Sequence, residues 1–485
     1  MNSENTPPSS RSAGVAGQTG KNDDIYMAVI VLAVVFVALE HIGYNLFFFA
    51  DDWAWLHRAT FKTFGELFSL MPERIYNDRP VGAVMIKFMY GMFGLEWRSF
   101  QIFQVGIHAL NCVLVFLIAR PHMSRPGAAL AGILAATWIS SNTAVFWTAA
   151  MFDLLGATLC LLAVLFRQLA QARNNDWRID ILGIATYFLA IRTKEFAIGL
   201  VVVMLLMSVL LGRRGILASL RELFPYLVVT ALLAGRYVYL FAATPSLPAG
   251  TSNPYALHFL DVFNNFAVYV GNVFYMEVFS FYGVVAICVA ILFGSILSKA
   301  GGWRITAVGF AGFAILLGPT LLLSNHLDPL YLYAPHFFLA IAIGGLVGRG
   351  IPATVIALAV SVILVVVPGG SDWNRNVVKA TLAKGQAARA QFESFRPLMS
   401  GFPSGSTIFI SGVEPYFNPF SYGPGYSIKI LANDKTLQAV LEKPEDQLVA
   451  EFCAKQGPKA FVAFTDAVAV DTTNAVLLTC QGAAK

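Results

Sequence analysis

Two adjacent carboxylates, Asp51 and Asp52, follow directly on a long apolar run that ends at Phe49-Ala50. Charged groups beside lipid are costly, so a pair kept at the end of an apolar run points to a function. A carboxylate there can take a proton from an attacking hydroxyl. The two together could instead hold a divalent ion. The plainer account is an interfacial cap, with Trp53 and Trp55 in an aromatic belt. A second group, Arg192-Thr193-Lys194-Glu195, falls on a short turn between apolar runs. Its cations suit a phosphate; an ordinary turn with an internal ion pair is the alternative. Arg236 stands inside an apolar run, where an Arg either faces the bundle interior or extends to the interface. Its partner inside would be a phosphate, Asp153 or Glu277. Asn325-His326-Leu327-Asp328-Pro329, followed by Tyr331, Tyr333 and His336, reads either as a pocket wall or as a structural turn. His108 and Glu40 lie deeper and read as hydrogen-bonded structural residues.

These groups need a scaffold, and composition says which kind. Of 485 residues, 57% are hydrophobic and only 13% charged, with a net charge of +5; mean hydropathy is +0.65. Soluble domains carry about 25% charge, so so few charges exclude a soluble enzyme or nucleic-acid binder. The chain reads as a polytopic α-helical membrane protein. Against the roughly 20 residues a membrane helix needs, spans fall at 25–48, 97–119, 127–146, 149–167, 179–192, 196–212, 224–242, 278–297, 304–323, 333–348 and 351–368. That makes about eleven. Segment 259–276 is a further span or an interfacial helix. Residues 1–24 are rich in Ser, Pro, Gly and Asn and read as a disordered cytoplasmic tail without a cleavable signal.

Short loops with Arg120, Arg125, Arg167, Arg173, Arg178, Arg213, Arg214, Arg221, Lys299, Arg304 and Arg349 mark the cytoplasmic side. The opposite loops at 143–148, 243–258 and 324–332 have no Lys or Arg. The long outer loop 49–96 carries Arg58, Lys62, Arg74, Arg79 and Lys87, and these basic residues need a partner. After the transmembrane domain, 25–368, residues 369–485 read as a small extracytoplasmic α/β domain. Residues 371–398 suit a polar helix, and STIFISGV and KAFVAFTD suit short strands. Cys112, Cys160 and Cys288 fall in apolar runs as core residues. Cys453 and Cys480 lie in the outer domain, where an oxidising compartment permits a disulfide, although spacing alone leaves their meeting open.

The pair Asp51-Asp52, the outer loop with Arg79-Pro80 and Phe93-Gly94, and His108-Ala109-Leu110-Asn111 resemble the GT-C glycosyltransferases. The likeness is to the protein O-mannosyltransferase-like and lipid A aminoarabinose transferase-like branches, and it extends over most of the chain. It implies a polyprenyl-phosphate sugar as donor, a glycan, lipid or protein acceptor, and an active site on the extracytoplasmic face, in a bacterial inner membrane. On that resemblance Asp51 or Asp52 is the base, with Asp51 favoured. Arg192, Lys194 and Arg236 bind donor phosphate. Arg79, Glu195, His326, Asp328, Tyr331 and Tyr333 line the substrate pocket. A phosphate leaving group needs no general acid, unlike glycoside hydrolysis, and direct displacement inverts the anomeric carbon. Some branches use a divalent metal and others none, so Asp51 and Asp52 as metal ligands stay open; no His/Cys set has zinc spacing. Asn at either position is expected to leave the fold intact. A transporter or flippase of lipid-linked saccharide is the competing class, and a scaffold whose outer domain binds a partner is the third.

Overall fold

The computed structural model describes residues 21–42, 47–69, 79–137, 144–243, 256–274, 281–297, 302–348, 350–370, 372–413, 418–421, 423–441 and 443–483. The helices begin with α1 (Lys21–Ile42), α2 (Asp51–Phe61), α3 (Phe64–Leu67), α4 (Pro80–Phe93), α5 (Trp97–Ala119), α6 (Arg125–Thr137), α7 (Met151–Ala172) and α8 (Trp177–Ile191). They continue with α9 (Leu200–Leu206), α10 (Ile216–Glu222), α11 (Phe224–Ala243), α12 (Val262–Phe274), α13 (Phe281–Leu297), α14 (Gly302–Leu317), α15 (Tyr333–Gly344) and α16 (Ile351–Gly370). Each apolar segment read from the sequence contains one of them. Among the described residues, α5 and the helical stretch Thr148–Ala172 are long and apolar enough to cross a bilayer by themselves. The pair α10–α11 makes a third if its 67° bend falls within one span.

Residues 21–24, read from the sequence as tail, form the first turn of α1; residues 1–20 lie outside the described residues. The reason is electrostatic. Asp23 is buried and pairs with Arg120 and, at 3.0 Å, with Arg125, so the helix starts where it can be anchored. At the same end of the bundle Arg167 pairs with Asp180 at 3.2 Å and with Glu222 at 2.6 Å.

Every residue of α15 is buried. A helix apolar on all sides belongs in the middle of a bundle, and α15 packs against α6, α7 and α14. Small residues permit this. A Cβ on Gly127 of α6 would fall 2.4 Å from the carbonyl oxygen of Gly344. Backbones that approach so closely are typical of helix pairs in lipid.

After α16 comes α17 (Asp372–Phe395), then a four-stranded sheet with α18 (Tyr426–Ala432), α19 (Glu445–Ala454) and α20 (Thr473–Ala483). The strands β1 (Thr407–Ser411), β2 (Gln438–Val440), β3 (Lys459–Thr465) and β4 (Val468–Asp471) are ordered β2-β1-β3-β4. β1 is parallel to β2 and β3, and β4 is antiparallel to β3. Ile408, Ile410, Phe420 and Val462 bury one face against Phe395. Cys453 and Cys480 are joined, with Cα atoms 5.5 Å apart, tying α19 to α20. This part rests on α2: the Phe392 ring stacks on Trp53 at 5.1 Å, and α18 lies along α2.

Candidate active site

The site is built around the start of α2. Phe47 and Phe48 are buried against Trp53, at ring distances of 5.9 and 5.8 Å, and fix the incoming chain. Ala50 then adopts φ 49°, ψ −123°, a conformation that costs a residue with a Cβ about 1–3 kcal/mol and tends to persist at functional sites. This turn folds the Asp52 side chain back. One Asp52 carboxylate oxygen accepts the Phe49 N–H at 3.0 Å, and the other accepts the Ala149 N–H at 2.6 Å. Asp52 is 1% exposed. Burial pushes its carboxyl well above the usual range, the two N–H donors oppose this, and the Asp51 charge adds to it. Asp52 is thus a clamp between α2 and the turn Thr148–Ala150. Asp51 is half-buried and makes no hydrogen bond with a described residue, so its carboxylate is the one available to a substrate.

A charge cluster lies across Phe152. The Phe152 ring packs 4.3 Å from Trp55 of α2 and lies 5.8 Å from the Arg79 guanidinium. Arg79 pairs with Glu195 at 2.6 Å, and Lys194 pairs with Asp153 at 2.9 Å. Gly156, one turn beyond Asp153, leaves room for Lys194: a Cβ there would sit 3.1 Å from the Lys194 Cβ. The Lys194 ammonium also lies 5.3 Å from the Tyr331 ring centre, and the His326 ring meets that tyrosine edge-on at 5.8 Å. Two cations, two carboxylates and one phenol therefore meet beside α2. The Arg79–Glu195 pair is the more open of the two ion pairs, at 22% and 37% side-chain exposure against 7% and 2% for Lys194–Asp153.

The other expected residues are placed differently. Arg192 is 2% exposed and donates to the Ser69 carbonyl at 2.9 Å, which ties the turn to the outer loop. Asp328 caps the following helical turn by accepting the Leu330 N–H at 2.8 Å. Tyr333 lies inside the bundle. It is fully buried, and its hydroxyl meets His108 Nδ1 at 2.9 Å and the Asn111 amide at 3.0 Å, because α15 is central to the bundle. His108 is hydrogen-bonded inside the bundle, whereas Glu277, like Tyr76-Asn77-Asp78, lies outside the described residues. Arg236 is half-buried on α11; its other expected protein partner, Asp153, pairs with Lys194. Sequence reasoning raised Asp153 only in that connection. The signal for its larger role was a carboxylate one helical turn inside an apolar run, on the same side as the Lys194 turn.

As a metal site the aspartate pair fits poorly. Asp52 is 1% exposed and each of its oxygens already accepts a backbone N–H, so an ion would have to share them. No group of three or more His, Cys, Asp or Glu side chains is arranged for a metal among the described residues.

The fold superposes on those of solved proteins. ArnT from Cupriavidus metallidurans bound to undecaprenyl phosphate superposes with a TM-score of 0.54 at 15% identity, over 94% of each chain. The fold is that of ArnT. Apo ArnT gives 0.53 at 14% identity, again over 94% of each chain. The Archaeoglobus fulgidus oligosaccharyltransferase gives 0.48 at 9%, over 85% of this chain and 64% of that one. Residues 77–240 match the family described as dolichyl-phosphate-mannose-protein mannosyltransferase. That stretch contains Arg79, Asp153, Lys194 and Glu195. No curated protein matches by sequence.

Proposed function

We propose that this chain transfers a sugar from a polyprenyl-phosphate donor to an acceptor hydroxyl, with Asp51 as base. The observation that carries the reading is the unequal pair at the start of α2: Asp52 is held by two backbone N–H groups, and Asp51 is left open. Asp51 takes the proton of the acceptor hydroxyl as its oxygen bonds to the anomeric carbon. The bond from that carbon to the phosphate oxygen breaks, and the electron pair leaves with polyprenyl phosphate. Displacement from the opposite side inverts the centre. Arg79 and Lys194 stabilise the charge growing on the departing phosphate, with Arg236 approaching from α11. Each of the first two is already paired with a carboxylate, so the phosphate exchanges for Glu195 or Asp153 rather than meeting a bare cation. That ArnT was solved with undecaprenyl phosphate bound supports a donor of this class.

On the same reading the eleven apolar segments each cross the bilayer. The α2 end of the bundle and the domain after residue 368 then lie outside the cytoplasm of a bacterial inner membrane. The test is purified Asp51→Asn with polyprenyl-phosphate sugar and acceptor, following release of polyprenyl phosphate. Turnover should fall about 100-fold or more, as for loss of a general base. Near-normal release would remove Asp51 from the chemistry.

A further inference from the structure

The seam between α2 and α18 holds positive charge that the transfer reading does not use. Tyr426, at the start of α18, packs its ring 4.4 Å from His57 of α2. Lys429 is three residues on, so it shares the Tyr426 face and turns toward α2. It is 9% exposed, and its ammonium makes no hydrogen bond or ion pair with a described residue. Asp434 attracts it from a distance, but that carboxylate already accepts from Ser404 at 2.6 Å and from Thr436. On α2, Arg58 lies over the Trp55 ring at 5.3 Å, on the same stripe as Asp51. Lys429, Arg58 and Lys62 all act on His57, and with burial they lower its pKa to about 4. Like charges gathered beside His57 raise the electrostatic cost of the seam, and Asp434 offsets it at Lys429 only in part. An anion entering the seam would offset that cost.

We propose that Lys429, Arg58 and His57 form an anion-binding subsite at this seam, about 10 Å along α2 from Asp51, which holds a phosphate or carboxylate carried by the acceptor. The proposal rests on the transfer reading for the word acceptor, and on the seam alone for the site. An acceptor anchored there by its charge would present a hydroxyl to Asp51 from a fixed distance. The sheet domain would then take part in acceptor choice through one lysine.

The test is binding to the full-length protein in detergent without donor, so that it does not depend on turnover. The probes are dioctanoyl phosphatidic acid, dioctanoylglycerol and glycerol 3-phosphate. The wild type should bind phosphatidic acid about 10-fold more tightly than dioctanoylglycerol. Lys429→Gln should reduce that preference to 3-fold or less, and Lys429→Arg should retain it. Since Lys429→Gln removes one of several like charges beside His57, its thermal midpoint should hold or rise. Glycerol 3-phosphate binding as well as phosphatidic acid would point to a soluble anionic acceptor, and weaker binding to an anionic lipid; either supports the subsite. Equal binding of phosphatidic acid and dioctanoylglycerol, or an unchanged preference in Lys429→Gln, would overturn it. Asp51→Asn should keep the preference while losing transfer, so the two readings fail separately.

Discussion

An amide at position 52 keeps the volume of the carboxylate but turns an NH2 group toward one of two backbone N–H donors. Leaving a buried donor unpaired costs about 1–3 kcal/mol. Asp52→Asn should therefore lower the thermal midpoint, whereas Asp51→Asn should leave it unchanged and lose transfer. Thermal unfolding beside a turnover assay separates them, and equal midpoints would count against the clamp. Asn matches Asp in volume at both positions, but the two N–H groups that reach Asp52 make position 52 the more sensitive one. The same reasoning applies to Lys194. Lys194→Met leaves Asp153 buried and unpaired, at a cost of about 3–5 kcal/mol. Adding Asp153→Leu should recover most of that loss without recovering transfer. If the double variant is no more stable than the single one, the ion pair is not what Lys194 contributes to the fold. The residue types at this site were legible in the sequence, since carboxylates and cations at the ends of apolar runs stand out. Their partners were not. The Lys194–Asp153 and Arg79–Glu195 pairs span 41 and 116 positions, and no local pattern encodes such distances.

The helices were legible for a simpler reason: apolar runs in lipid have few alternatives to a helix. How helices pack was not, because it depends on which small residues face each other. Gly127→Val would drive a side chain into the Gly344 backbone, an overpacking that should cost about 1–3 kcal/mol or separate α6 from α15. Gly106→Ala on α5, where an added Cβ meets nothing within 4 Å, should be neutral or better. Measuring both variants by detergent-resistant thermal stability tests the packing, and equal effects would sink it. The contact between α2 and α18 should respond to pH. Burial, with Lys429, Arg58 and Lys62, holds His57 at about 4, below its ordinary 6.5. The unfolded chain therefore binds a proton between those values and the folded chain does not. The contribution of His57 is intact above pH 6.5 and is lost as the pH falls toward 4. His57→Gln should flatten the decline in thermal midpoint over that window, and an unaltered slope would assign the decline elsewhere.

At the scale of the whole molecule, one bundle supports the charge cluster and one sheet domain rests on α2. The disulfide between Cys453 and Cys480 closes a loop with a sequence separation of 27, a constraint worth about 3–4 kcal/mol by loop-closure entropy. Reduction should lower the unfolding transition of this domain and leave that of the bundle in place. A single transition moving as one unit would mean that the domain has no independent stability. The strands were readable because β1 and β3 are short, apolar and flanked by turns. The seam with α2 was not, because Phe392 and Tyr426 look like any domain-core aromatics until α2 is set beside them. That seam also bears on biogenesis. Trp53 and His57 emerge from the ribosome long before their partners at 392 and 426–429. At ordinary elongation rates the interval is about 20–75 s. During that time the helix that carries Asp51 stands uncovered at the translocation machinery, and a truncated chain never covers it. On the subsite proposal, the newborn protein can first hold its acceptor only after the last hundred residues are made and folded onto α2.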